Sequence, residues 1–189
     1  MTKEKIRCFI AVEVPKDILA EIEKYLEQLR EISSQVRWVK ARGIHITLKF
    51  LGEIESPLLD QVKESLRSVT GIVRPFTVTV HGSGCFPNPR RPRVFWLGLE
   101  QSMGTELNVI YDWIDEKLIV LGFEKEKRKF SAHLTLGRVR TPANFDSLLN
   151  YMQKHPFPKR SFQVYEIVFM RSVLKPSGAE YIPLSTYHL

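Results

Sequence analysis

The sequence predicts an α+β fold of two lobes built from a repeated unit, and three observations carry that prediction. Strand-like and helix-like segments alternate along all 189 residues with no low-complexity linker between them. The tetrad His-x-Thr-Leu occurs twice, as His45-Ile46-Thr47-Leu48 and as His133-Leu134-Thr135-Leu136, each time inside a strand-like segment. Each half of the chain sets its tetrad strand among amphipathic helices, as a duplication would, although similarity between the halves is thin outside the tetrads. One domain over residues 1–189, made of two intertwined lobes, is therefore expected.

The elements follow in order. Residues 6–14 read as a strand that stops at Pro15. Over 16–32, Ile18, Leu19, Ile22, Tyr25, Leu26, Leu29 and Ile32 recur at helical spacing and form one buried stripe. Strands are expected at 36–40 and 44–51, with Ala41-Arg42-Gly43 as the turn between them. Ser56 as N-cap and Pro57 at the first position open a helix that buries Leu58, Leu59, Val62, Leu66 and Val69 and ends at Gly71. Strands at 76–80 and 94–99 flank a Gly/Pro-rich loop. A helix from about 103 to 121 carries Leu107, Ile110, Ile114, Leu118 and Leu121 and ends at Gly122. After the second tetrad, Thr141-Pro142 opens a short helix over 144–153, and strands at 162–170 and 181–187 close the chain. Trp38, Trp96 and Trp113 suit core or lobe-packing positions.

Composition narrows the class. With 43% hydrophobic and 26% charged residues the chain is ordinary for a globular protein. It contains no apolar run of about 18 residues and no signal-peptide pattern, so a cytoplasmic protein without membrane contact is expected. Cys8 and Cys85 lack a C-x-x-C neighbour and are expected as buried free thiols. A net charge of +7 favours an anionic partner. The basic residues cluster in Asn88-Pro89-Arg90-Arg91-Pro92-Arg93 and in Lys125-Glu126-Lys127-Arg128-Lys129, where a solvated loop is an equally good explanation of each cluster alone. No obligate protein partner is evident, and a monomer is expected.

The tetrads carry the chemistry. Side chains alternate along a strand, so His45 shares a face with Thr47, and His133 with Thr135, while Ile46, Leu48, Leu134 and Leu136 point to a core. A lone strand histidine is usually structural; its duplication with Thr at the same offset reverses that reading. Facing one another, the two pairs offer two acid–base groups and two hydroxyl donors, which suits cleavage of a phosphodiester. H-x-T has no metal-ligand spacing and no acidic residue accompanies either histidine, so neither metal nor cofactor is expected. His81, His155 and His188 lack this context and are expected as surface or structural residues.

With its flanks the pattern resembles the 2H phosphoesterases, and among them the RNA 2′,3′-cyclic phosphodiesterases also described as 2′-5′ RNA ligases. The likeness rests on Arg7-Cys8-Phe9-Ile10-Ala11-Val12, Trp38-Val39, the first tetrad continued by Lys49-Phe50-Leu51-Gly52, and Phe86-Pro87-Asn88-Pro89-Arg90-Arg91-Pro92-Arg93-Val94. It extends through Leu121-Gly122-Phe123, the second tetrad continued by Gly137-Arg138-Val139, Arg171-Ser172-Val173-Leu174 and Gly178-Ala179-Glu180-Tyr181. Ser131-Ala132 departs from it, because many relatives carry a proline beside the second histidine.

The resemblance implies pseudo-duplicated antiparallel sheets that form a V-shaped groove, with helices outside and both histidines on the floor. It implies metal-independent hydrolysis of an RNA-terminal 2′,3′-cyclic phosphate, or of small cyclic nucleotides, to a 2′-phosphomonoester. In that reaction His45 protonates the departing 3′ oxygen and His133 activates water; the reverse assignment is nearly as good. Thr47 and Thr135 would hold the non-bridging oxygens. With a ribose 5′-hydroxyl in place of water the same residues would form a 2′-5′ linkage. A binding module using the groove without turnover is the alternative, and the intact tetrads count against it. The resemblance also points to Arg138 as a phosphate contact and Phe50 as a base-stacking residue. Each lies five residues after its histidine, on the opposite face of a regular strand, so a bulge near Gly137 is needed to swing Arg138 back, and Lys49 offers no such help to Phe50. Regular strand geometry instead puts Lys49 beside His45 and Thr47 as an alternative phosphate contact.

Overall fold

Burial on both faces marks the first strand: Cys8, Ile10 and Val12 enter the main core, while Phe9 and Ala11 join Val168 and Met170 in a smaller cluster on the opposite side. This computed structural model describes residues 5–100, 105–127, 129–176 and 178–189. Its elements are β1 (Lys5–Glu13), α1 (Lys16–Ile32), β2 (Val36–Trp38), β3 (His45–Glu55), α2 (Ser56–Leu66), β4 (Phe76–Phe86), β5 (Val94–Leu99), α3 (Glu106–Ile119), β6 (His133–Val139), α4 (Asp146–Lys154), β7 (Arg160–Val164), β8 (Glu166–Lys175) and β9 (Gly178–His188).

Among the described residues nine strands form one sheet in the order β7-β4-β5-β6-β3-β1-β8-β9, with β2 added against β6. Every named strand pair is antiparallel, and the sheet is curled. Stripes from the helices, including Ile22, Leu26 and Leu29 of α1, Leu66 of α2 and Ile110, Ile114 and Leu118 of α3, are fully buried in the main core. The predicted α+β class therefore holds.

The sheet has a seam. β3 and β6 are joined through Ile46 opposite Leu134, and beyond that bridge β6 takes β2 as its neighbour instead of β3. The insertion of β2 forces the two half-sheets apart and opens a groove above the seam.

The halves are interleaved. β1 and β3 pair across α1, and β5 and β6 pair across α3, so each tetrad strand stays with the strand that precedes its helix. Beyond the next helix each half sends a strand across: β4 pairs with β5, and β8, which follows β7, pairs with β1. Only Tyr165 separates β7 from β8, although β7 is one edge of the sheet and β8 lies next to the other. One residue reaches at most ~3.6 Å, so the sheet must curl until these regions meet. Leu189 N–H closes the junction by donating to Tyr165 O at 2.9 Å.

Several boundaries differ from expectation for physical reasons. Residues 162–170 read as one strand and are two, since the chain passes between half-sheets at Tyr165. The Gly-rich stretch expected as loop is strand to Phe86, because Trp96 lies over Gly84, where a Cβ would come within 2.6 Å of the indole. Ser56 is the first helical residue of α2 and Glu55 its N-cap; the helix gives way to a 3₁₀ turn at Arg67–Val69 before Gly71 at φ +85°. α4 opens at Asp146, whose N–H donates to Asn144 Oδ1, rather than at Thr141-Pro142. Residue 103, expected to begin the third helix, and Arg128 of the basic cluster lie outside the described residues. Both cysteines are buried free thiols. Among the described residues no helix is long and apolar enough to cross a membrane.

Candidate active site

The antiparallel bridge at Ile46 and Leu134 fixes what meets above it. Residues opposite one another share a face, so the bridge turns both apolar side chains inward and sets His45 against Thr135 and Thr47 against His133 on the groove side. Each histidine thus faces the threonine of the other half.

Both rings are held in the same way. His45 Nδ1–H donates to Gly43 O at 2.9 Å, and His133 Nδ1–H donates to Ser131 O at 2.7 Å. A carbonyl can only accept, so Nδ1 carries a proton in each ring. The neutral imidazole therefore has its lone pair on Nε2, free to take a proton. The packing differs: His45 stacks on Phe9 at 4.7 Å and meets Tyr181 edge-on at 5.0 Å, whereas His133 meets Phe86 edge-on at 5.0 Å.

Burial pushes the His45 pKa down to about 4, against the opposing pull of the Gly43 carbonyl, and the charge of His133 lowers it further. Burial also lowers His133; the Ser131 carbonyl opposes this, and Arg138 adds to the lowering. Both shifts favour the neutral ring in the free protein.

The fourth residue of each tetrad is a β-bulge. Against β1, Thr47 opposes Ala11 and Lys49 opposes Ile10, so Leu48 is extra. Against β5, Thr135 opposes Trp96 and Gly137 opposes Phe95, so Leu136 is extra. The extra residue shifts the alternation by one. Lys49 and Gly137 turn to the core, and Phe50 and Arg138 turn to the groove, which both line. The bulge needed for Arg138 is present, and its counterpart brings Phe50 over as well.

This corrects the geometric expectation for Lys49. It does not share a face with His45 and Thr47; it is 8% exposed, its ammonium pairs with Asp115 of α3, and it donates to Glu124 O at 3.0 Å. A charge held in this way is not free to clamp a phosphate. At the equivalent Gly137 a Cβ would lie 2.6 Å from Val36 Cγ1 and 2.8 Å from Trp38 Cε3, so only glycine fits beneath β2. Trp38 is on that core side, with Nε1–H donating to Ser33 O at 3.0 Å. Trp96 is instead on the groove side, opposite Thr135 and against Phe86.

Two cavities meet over this floor and share Thr47, Phe50, Thr135 and Arg138. The first, about 420 Å³, contains His45 with Arg7, Phe9 and Tyr181. The second, about 1040 Å³, contains His133 with Phe86 and the lysines of the 125–129 segment. Phe9, Phe86 and Tyr181 received no role from sequence, although each stood in a segment that carried the resemblance. Arg37 was missed altogether. It lies on β2 opposite Arg138, so two like charges are cross-strand neighbours, although Arg37 is exposed and lines neither cavity. His81, His155 and His188 are exposed and away from both cavities. Among the described residues no three His, Cys, Asp or Glu side chains gather as a metal-binding set.

A duplicated antiparallel sheet that sets one His-Thr pair from each half across a common groove is the arrangement of the 2H phosphoesterases. The chain matches the LigT-like phosphoesterase pattern twice, over residues 12–96 and 97–181, and it belongs to that family. It is 31% identical to an RNA 2′,3′-cyclic phosphodiesterase of Methanothermobacter thermautotrophicus, over 98% of this chain and 100% of the relative. An RNA 2′,3′-cyclic phosphodiesterase of Archaeoglobus fulgidus is 35% identical over 96% of this chain and 99% of its own length. In fold it resembles Escherichia coli LigT crystallised with 3′-AMP, with TM-score 0.77 and 24% identity over 98% of this chain and 99% of that one. A Thermus thermophilus protein superposes with TM-score 0.79 and 24% identity over 97% and 98% of the two chains.

Proposed function

We propose that this protein hydrolyses 2′,3′-cyclic phosphate at RNA ends to a 2′-phosphomonoester and a free 3′-hydroxyl, using two histidines and no metal. The observation that carries the reading is the pair of imidazoles with Nδ1 anchored and Nε2 free, each opposite a threonine of the other half. Family membership and the names of the relatives support the substrate.

In-line attack at phosphorus needs a proton removed on one side and delivered on the other. His133 Nε2 takes a proton from water as the new P–O bond forms. The P–O3′ bond breaks, and His45 Nε2–H gives its proton to the departing oxygen. His133 then releases its proton and His45 regains one from solvent. Thr47 and Thr135 donate to the non-bridging oxygens, where charge grows in the transition state. Phe50 stacks on the nucleobase, and Arg138 holds the phosphate.

In the empty groove burial pushes the pKa of His45, the acid of this scheme, down to about 4, so its proton has to come with the bound substrate. Arg138 disfavours a proton on His133, as a base requires. His45 is pressed against aromatic rings and, once the phosphate anion lies beside it, gains the proton that the empty groove denies it. With a 5′-hydroxyl as nucleophile the same steps form a 2′-5′ bond.

The test is a cyclic-phosphate-ended oligoribonucleotide with the product phosphate located by position. A 2′-phosphate formed at undiminished rate in EDTA is expected; a 3′-phosphate would show that the other oxygen leaves.

A further inference from the structure

We propose that the cavity beside His133 is a subsite for the backbone phosphates of the RNA strand, upstream of the phosphate that reacts, so that the protein prefers oligonucleotide ends to cyclic mononucleotides. This rests on the function proposed above and extends it to substrate length.

Size is the first observation. The cavity around His45, about 420 Å³, falls within the range that holds a small ligand, and the one around His133 adds an open groove of about 1040 Å³ beside it. The two are continuous across Thr47 and Thr135. A strand whose end lies over the threonines therefore has a path onward.

Charge is the second. Lys125, Lys127 and Lys129 line the larger cavity together with Arg138; Glu124 and Glu126 line it too, which leaves cations in excess by two. Lys49 is excluded from that balance by its pairing with Asp115.

Order is the third, and it separates this segment from an ordinary solvated loop. Lys49 Nζ–H donates to Glu124 O at 3.0 Å, and Glu126 N–H donates to Asp115 Oδ1 at 3.4 Å. Farther along, Phe130 stacks on Tyr111 at 4.3 Å. Lysines mounted on a pinned segment lose less freedom on binding phosphate than lysines on a free one.

The experiment compares a cyclic-phosphate-ended oligoribonucleotide with a 2′,3′-cyclic mononucleotide, in the unmodified protein and in the Lys125→Ala/Lys127→Ala/Lys129→Ala variant. The ratio of the two kcat/KM values is expected to fall by about tenfold or more at low salt, through KM. The slope of log kcat/KM for the oligonucleotide against log salt is expected to flatten by about 2, at ~0.7 for each phosphate that the variant leaves without a cation. Arg90→Ala/Arg91→Ala, outside both cavities, serves as the control for bulk charge. An unchanged ratio in the lysine variant, or an equal fall in the control, overturns the proposal. Fluorescence anisotropy of the same RNA gives an independent reading: weaker binding in the lysine variant alone supports the subsite, and unchanged binding overturns it. Lysine-dependent binding without any hydrolysis would instead defeat the proposed reaction.

Discussion

The two tetrad strands use one backbone device and fill it differently. Each carries His and Thr to the groove, bulges at Leu, hides the next residue and exposes the one after. On β3 the hidden residue is Lys49, tied to Asp115, and the exposed one is Phe50; on β6 they are Gly137, beneath Trp38, and Arg138. Phe9 and Tyr181 pack on His45 and Phe86 packs on His133, Phe50 and Arg138 line both cavities, and the lysines of the 125–129 segment line the His133 cavity alone. Backbone symmetry places two matched His-Thr pairs in the groove, and the side chains around them differ.

The largest effect should come from removing either proton carrier. His45→Ala and His133→Ala are each expected to reduce turnover of a cyclic-phosphate end by ~10²–10⁴. Turnover near that of the unmodified protein in either variant would mean that the two strands do not share one reaction.

The hidden positions are next. Asp115→Ala leaves the Lys49 ammonium buried without its counter-charge, with only the Glu124 carbonyl to donate to, and should cost ~3–5 kcal/mol in denaturant unfolding. A Lys49→Met/Asp115→Leu double variant should recover much of that loss, since matched apolar groups carry no uncompensated charge. A cost below ~1 kcal/mol for Asp115→Ala would be the value of a surface pair and would contradict the burial of this one.

The pH dependence sharpens the contrast between the rings. Both pKa values are depressed in the free protein, that of His45 to about 4 and that of His133 below the ordinary 6.5. Burial disfavours the charged form, so the optimum of kcat/KM should lie between these limits, on the acid side of neutrality. The kcat profile, which reports the complex, should move to higher pH because a bound phosphate favours imidazolium. A kcat/KM optimum above pH 7 would contradict the depressed values.

Arg37→Ala should have the smallest effect, and of opposite sign in two measurements. Loss of a like charge opposite Arg138 should raise stability by a few tenths of a kcal/mol, about the size of a cross-strand pair term. Activity on RNA ends should fall a few-fold. A fall in both would make Arg37 a structural residue.

What was legible in the sequence was periodic or repeated. The stripe of α1 and the two tetrads announced themselves, and with them His45, Thr47, His133 and Thr135 as groove-facing groups. The bulges were not legible on both strands, because register is set by the neighbouring strand. Gly137 hinted at one, whereas Leu48-Lys49 looks like ordinary strand, and strict alternation therefore sent Lys49 to the groove and Phe50 away from it. The cross-strand neighbour Arg37 lies 101 positions from Arg138 in the chain, and no local pattern links them. The crossing at Tyr165 was hidden for a related reason: 162–170 is continuous in composition, and only the partners change.

The exchange of β4 and β8 between half-sheets bears on how such a chain arises. A polypeptide of half this length, with one tetrad, would have no partner in its own chain for the strand after its second helix. It would complete its sheet by lending that strand to a second copy and borrowing one in return. Two identical copies joined in this way would have a two-fold axis through the bridge now made by Ile46 and Leu134, and an active centre of two identical His-Thr pairs. Fusion of the copies would release each pair from identity with the other. In this chain the two pairs sit in different surroundings, His45 against Phe9 and Tyr181 and His133 against Phe86 beside the lysine segment.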